Sequence, residues 1–283
     1  MAVEPILEAD LPSVAQFLID NMHKRYSISE WTELFETNWS AQRPNFGFQL
    51  KVEDGIAGVL GAIYSDQSIN GQLVRFCNLT TWCVRESHRS HAAKLLIACV
   101  NQPGYEFTNF TPMKVVEGLC RFVKFTTIDD SEHLIPPQPL DFFALPANVT
   151  TDNARMSREL DGDARKLYED HKDAKGFRHL MAGKQNDRFY MAYTMSTVKG
   201  LKSATVMAVS SPERFARYGA AIRRHLLLQH KIWFLVVEKR FVEKPPMICF
   251  QRPLSQPRMA RTSLPPSVIN NLYSELVPLA HLP

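Results

Sequence analysis

The chain has 283 residues, 45% hydrophobic and 22% charged, with 33 Lys and Arg against 29 Asp and Glu for a formal net charge of +4. This composition excludes a disordered or collagen-like chain and leaves room for one large domain or two ordinary ones. The longest runs of hydrophobic residues uninterrupted even by glycine, 95–100 and 232–237, are six residues each, far short of the roughly 20 needed to span a bilayer, so no membrane contact is expected.

Acids at Glu4, Glu8 and Asp10 stand where a signal peptide would carry a basic start and an apolar run, and a cytoplasmic protein is the expectation. The cationic residues are spread along the chain, densest at Arg214, Arg217, Arg223 and Arg224. Without a basic patch and interleaved aromatics, no nucleic-acid partner is expected. Cysteines at 77, 83, 99, 120 and 249 form an odd set with no CxxC pair. That spacing points to reduced thiols and away from disulfides or a metal site.

In chain order, residues 3–7 read as a short strand and 10–22 as an amphipathic helix. Asp10 is the expected N-cap, Pro12 lies in the first turn, and Val14, Phe17, Leu18 and Met22 share one face. A second helix is expected from Ser29 as N-cap toward Asn38. Three strands follow at 47–53, 56–65 and 72–84, joined at Asp54-Gly55 and Asn70-Gly71, pairs that tolerate the positive φ of tight hairpin turns. A polar loop at 85–90 leads into a helix at 91–101, closed by Pro103-Gly104; then come a strand at 105–109, a helix at 111–121 and a strand at 122–128. Pro136, Pro137, Pro139 and Pro146 mark a linker. Beyond it the order is a helix at 161–172, strands at 177–183, 188–197 and 201–209, a long helix at 212–230, a strand at 232–237 and a late helix at 265–276. The two halves share element order more than residues, which implies a duplicated fold whose chemistry has diverged.

The most informative segment is Thr80-Thr81-Trp82-Cys83-Val84-Arg85-Glu86-Ser87-His88-Arg89-Ser90-His91-Ala92-Ala93-Lys94. A strand passes through a basic loop into a helix that starts with small residues, where free backbone N–H groups and the positive helix end favour an anion such as a pyrophosphate. The plainer reading is an ordinary strand-to-helix turn with a solvated Arg. The local pattern alone leaves both open.

In this element order the segment resembles the GCN5-related N-acetyltransferase (GNAT) family. That family binds the acyl-CoA pyrophosphate through Arg or Gln, two variable residues, Gly, one variable residue, then Gly or Ala. Arg89 takes the first position, Ser90 and His91 the variable pair, Ala92 the place of the first Gly, Ala93 the next variable position and Lys94 the place of the second Gly, so both glycines are missing. Val84 matches the end of the family's fourth strand, which pairs with the pantetheine arm, and Asn109 the position that follows the fifth. The resemblance thus implies acetyl-CoA or another acyl-CoA as co-substrate, held by Trp82, Cys83, Val84, Arg89, Ser90, His91, Ala92, Ala93, Lys94 and Asn109. It also implies an oxyanion donor among the backbone amides of 81–84.

The family's Tyr proton donor is replaced by Cys120, a candidate acid, and Glu106 is a candidate base, with a water relay as an equal alternative; His171 and His179 could line the cleft from the second half. In the second half Pro212 and Glu213 stand where an anion cradle would have to form, so that half is not expected to bind CoA. The expected fold is α/β (α+β), with tandem GNAT-like modules, each a mixed, mainly antiparallel sheet flanked by helices. The divisions are 1–135 for the acyl-CoA-binding module, 136–158 for the linker and 159–283 for the degenerate module. The implied activity is acyl transfer from acyl-CoA to an amine, whether a small molecule, an aminoacyl group or an amino sugar. The alternative is a GNAT fold that binds without turnover.

Overall fold

The computed structural model describes residues 1–22 and 26–280. Among the described residues eleven strands form one continuous sheet. In the first half they are β1 (Ala2–Pro5), β2 (Gly47–Val52), β3 (Gly55–Ile69), β4 (Gln72–Val84), β5 (Glu106–Asn109) and β6 (Thr126–Ile135). The second half adds β7 (Phe177–Ala182), β8 (Phe189–Val198), β9 (Leu201–Val209), β10 (Phe234–Glu238) and β11 (Phe250–Arg261). Their order across the sheet is β1-β2-β3-β4-β5-β11-β6-β10-β9-β8-β7. The two halves repeat one plan: β2, β3 and β4 are antiparallel with β5 parallel to β4, and β7, β8 and β9 are antiparallel with β10 parallel to β9.

The halves exchange their central strands. β11, from the end of the chain, lies antiparallel against β5, while β6, from the first half, lies antiparallel against β10, and β6 and β11 pair with each other. A buried charge cluster ties this seam: Glu238 accepts from Arg258 at 2.7 Å and from Asn271 at 2.8 Å, and it stands in an ion pair with Arg240 at 2.8 Å.

Strand alternation gives the sheet two apolar faces. In the first half Leu60, Ala62 and Tyr64 meet α3 (Ala92–Val100) and α4 (Lys114–Phe122), whereas Val59 packs on α1 (Leu11–Asn21) and α2 (Ile28–Glu36). In the second half Leu180 and Met191 pack with α7 (Pro212–His230), while Met181 and Tyr190 pack with α5 (Asn153–Glu159) and α6 (Gly162–His171). A short α8 (Leu276–Leu279) follows.

Four local expectations are corrected. Helix α2 is capped by Ser27, not Ser29: Ser27 and Glu30 form a reciprocal capping box, which satisfies two end amides at once. β6 runs on to Ile135 because β10 and β11 pair with both of its edges. β11 went unread because Pro253 and Pro257 interrupt its pattern; the register shifts between Pro253 and Arg258, an irregularity that accommodates residues lacking a ladder donor. The expected helix at 265–276 does not form: a 3-10 turn at Pro266–Val268 is followed by a run of bends at 271–274, and the place of this segment in the fold is described below. Within 136–158 lie a 3-10 turn at Pro139–Phe143 and α5.

Candidate active site

The site begins with a parting of strands. β4 and β5 pair only at Phe76↔Glu106, Cys77↔Phe107 and Asn78↔Thr108. From Leu79 onward β4 stays bonded to β3 on one edge while β5 turns away, so the other edge faces a gap. The divergence coincides with a bulge: Leu60 opposes Trp82 and Gly61 opposes Thr80, leaving Thr81 unmatched at φ +48°. Such a bulge bends the strand and redirects its amides. Gly61 is needed opposite it, since a Cβ there would stand 2.9 Å from the Phe35 ring and 3.1 Å from Thr80 Cγ2.

The gap is a cleft of about 250 Å³, bounded by Leu79 to Trp82 on one side and by Asn109, Thr111, Pro112 and Met113 on the other, with Gln256 of β11 at its margin. Of the residues named from sequence, Trp82 and Asn109 line it. Cys83 points to the opposite face, toward α1 and α2. Burial pushes its thiol up, and the Arg89 guanidinium opposes that shift. Val84 packs toward α3.

The loop into α3 differs from an open anion cradle. Residues Glu86–His91 form a 3-10 helix, in which the His88 amide donates to the Arg85 carbonyl at 2.9 Å and the Ala92 amide to the Arg89 carbonyl. Those two donors are engaged internally. What the loop offers is side-chain charge: Arg89 is 70% exposed in an ion pair with Glu86 at 3.5 Å, Ser90 and Lys94 are exposed, and His91, Ala92 and Ala93 are half-buried.

The candidate acid and base fall elsewhere. Cys120 on α4 is fully buried in the core, accepts from Asn109 Nδ2 at 3.6 Å, and burial pushes its thiol up to about 11. It therefore holds its proton inside the core. Glu106, at the opposite end of β5 from Asn109, lines a separate depression with Gln102, Tyr105 and Lys124. His171 and His179 lie inside the second half, His171 with its ring nitrogens 3.0 Å from the carbonyls of Leu167 and Leu272 and His179 2.8 Å from the Tyr190 hydroxyl. Burial pushes each down to about 4, so both are neutral near pH 7. Among the described residues no group of three or more His, Cys, Asp and Glu could hold a metal ion, and no helix is long and apolar enough to cross a membrane.

No local pattern marks the residues at the apex of the cleft. Asn78 and Thr108 form the last rung before the strands part, and the Thr108 hydroxyl donates to Asn78 Oδ1 at 3.0 Å. Into this apex the C-terminal segment delivers Glu275, 1% exposed, which accepts from Asn78 Nδ2 through Oε2 and from the Thr111 hydroxyl at 2.6 Å through Oε1. Their sequence separations, 197 and 164 residues, exceed any local pattern.

The second half contains the same divergence in a different state. β9 and β10 pair only at Ser203, Ala204 and Thr205, and a bulge leaves Met207 unmatched between Val206 and Ala208. Here the gap is filled by the chain itself. The Asn271 amide donates to the Met207 carbonyl at 2.9 Å, and Leu272 and Tyr273 pack with Met207 and Ala208. At the start of α7, the Ser211 hydroxyl accepts from the Arg214 amide at 3.1 Å.

No protein-family model matches the chain, and no curated protein matches it in sequence. Solved structures do match in three dimensions. A GCN5-related N-acetyltransferase from Anabaena variabilis ATCC 29413 superposes with a TM-score of 0.57 at 11% identity, covering 92% of this chain and 72% of that one. The chain has the GNAT fold. A GCN5-related N-acetyltransferase from Kribbella flavida aligns with a TM-score of 0.55 at 12% identity, over 92% of this chain and 71% of that one. Eis1 from Mycobacterium abscessus aligns with a TM-score of 0.53 at 11% identity, over 92% and 73%. At these identities the likeness is one of fold.

Proposed function

We propose that the chain is an acyl-CoA-dependent N-acyltransferase whose working site is the cleft between β4 and β5. The observation that carries this reading is the free edge of β4 beside the Thr81 bulge, which a pantetheine arm can pair with as an added strand. Arg89, Ser90 and Lys94 supply charge and donors to the diphosphate, and the half-buried Ala92 and Ala93 leave room beside it. In this reading a β4 amide within 81–84 stabilises the oxyanion formed when an amine attacks the thioester carbonyl. Cys120, enclosed by the core, does not reach the departing thiolate, which takes its proton from solvent. The acceptor enters from the side of Thr111, Met113 and Gln256, where the first module faces the strand contributed by the second. Small amines, amino sugars and aminoacyl groups all fit this chemistry.

Acetyl-CoA or CoA is expected to raise the melting temperature of the full chain, and Arg89→Glu or Ala92→Trp to abolish that rise while leaving the unliganded melting temperature within a few degrees. No rise at saturating ligand would end the proposal. The enclosed Cys120 favours a second reading, a GNAT fold that binds CoA without turnover; CoA binding with no thiol released across a broad amine panel would select it.

A further inference from the structure

We infer that Glu275 is the proton acceptor of the β4–β5 cleft, acting through the hydroxyl of Thr111. This inference rests on the acyl-transfer reading of the same cleft. Thr111 lines the cleft and donates its proton to Glu275 Oε1 at 2.6 Å, so its oxygen keeps lone pairs for an amine N–H. Glu275 is fixed from its other oxygen by Asn78, whose own Oδ1 is held by Thr108. The carboxyl is therefore anchored to the last rung of the parallel pair, at the point where the strands open.

The surroundings suit a proton acceptor better than a structural tie. Glu275 is fully enclosed and, among the described residues, forms no ion pair of its own. The groups that face it are Asn78 from β4, Thr111 from beyond β5, its own backbone amide and, farther off, Arg258 from β11. Arg258 is engaged by Glu238 at 2.7 Å and by the Phe110 carbonyl. A buried carboxylate with hydrogen bonds but no cation has a raised pKa, as burial produces here. A raised value places its protonation closer to working pH, where a general base transfers protons best.

The step balances as follows. The amine nitrogen forms a bond to the thioester carbonyl carbon and the carbon–sulfur bond breaks, releasing CoA as thiolate. The proton lost by the amine passes to Thr111 Oγ while the proton of Thr111 passes to Glu275. Return of that proton to solvent resets the pair. Thr111 is the catalytic residue because it touches the acceptor, and Glu275 is its positioning residue.

The test uses the full chain as wild type, Glu275→Gln, Thr111→Val and Thr111→Ser. Thermal shift with acetyl-CoA is read first in each. Thiol release from acetyl-CoA with a panel of primary amines is then followed from pH 5.5 to 9.5. Glu275→Gln and Thr111→Val are expected to lower kcat by about 10²–10³-fold, to lose the acidic limb of the pH profile and to keep the KM for acetyl-CoA and the thermal shift. Thr111→Ser is expected to keep the limb. Wild-type rates and an unchanged limb in Glu275→Gln, or in Thr111→Val should the first variant fail to fold, overturn the inference while the acyl-transfer reading stands. Acetyl-CoA binding without thiol release from any amine also overturns it. A wild type that shows no thermal shift refutes the cofactor reading itself.

Discussion

The two strand divergences of this molecule have the same construction and opposite contents. Each arises where a parallel pair of three rungs ends beside a one-residue bulge, at Thr81 in β4 and at Met207 in β9. In the second, the chain itself supplies the missing strand partner, Asn271 bonding to the Met207 carbonyl. In the first, the β4 edge is left open, and the same C-terminal segment contributes one buried carboxyl to its apex. The difference teaches that a divergent pair of strands is a site only when nothing in the chain satisfies it: an edge already hydrogen-bonded offers a ligand no net gain.

The largest effect that would break the comparison is removal of the plug. Leu272 is fully buried, and Leu272→Ala is expected to cost about 2–5 kcal/mol in urea denaturation, with no new CoA site appearing in the second half. If the loss were instead under about 1 kcal/mol, the segment would be a loose cover rather than a structural strand partner.

Acid probes the second half through two buried histidines. His171 and His179 are held near 4 against an ordinary value of 6.5, so each binds its proton more readily in the unfolded chain. Their contribution is present above pH 6.5 and is lost as pH falls from 6.5 through about 4, with a scale of about 3 kcal/mol for each. Melting temperature should fall across that window, and replacing His179 by Gln should flatten the fall. An unchanged slope would remove His179 from this account.

Thr81 sharpens the first half. A β-branched residue at φ +48° is strained, and Thr81→Gly is expected to raise stability by about 1 kcal/mol. If the strained geometry holds the cleft ready for ligand, the acetyl-CoA thermal shift should shrink in the same variant.

The smallest effect is that of Arg89→Ala. Its ion pair with Glu86 is exposed, so stability should stay within about 0.5 kcal/mol, while acetyl-CoA binding weakens clearly at low salt and less at high salt, as read by titration at two ionic strengths.

Local chemistry made much of the fold legible. The turns at Asp54-Gly55 and Asn70-Gly71 gave β2, β3 and β4 nearly to their ends, and the long helix expected at 212–230 is α7. The second half was read as unsuited to CoA from Pro212 and Glu213, whereas the structure fills its divergence with residues 271–273, a reason no local pattern carries. The cleft wall at Trp82 and Asn109 was reached through a family resemblance. The conformation of the loop before α3 was not legible: its run of small and basic residues fits an open cradle and a 3-10 helix equally well, and only the chain path shows that the His88 and Ala92 amides bond within it.

By itself the sequence determined periodicities, turns and caps, because these depend on neighbours within a few residues, and from them the order of strands and helices that repeats across the two halves. Tertiary structure alone decided which strand lies beside which: the exchange of β6 and β11, the filling of one divergence and the delivery of Glu275 to the other. Those pairings join residues from 64 positions apart, as Met207 and Asn271, to 197, as Asn78 and Glu275, and they follow from burying apolar faces and satisfying backbone hydrogen bonds over the whole sheet at once.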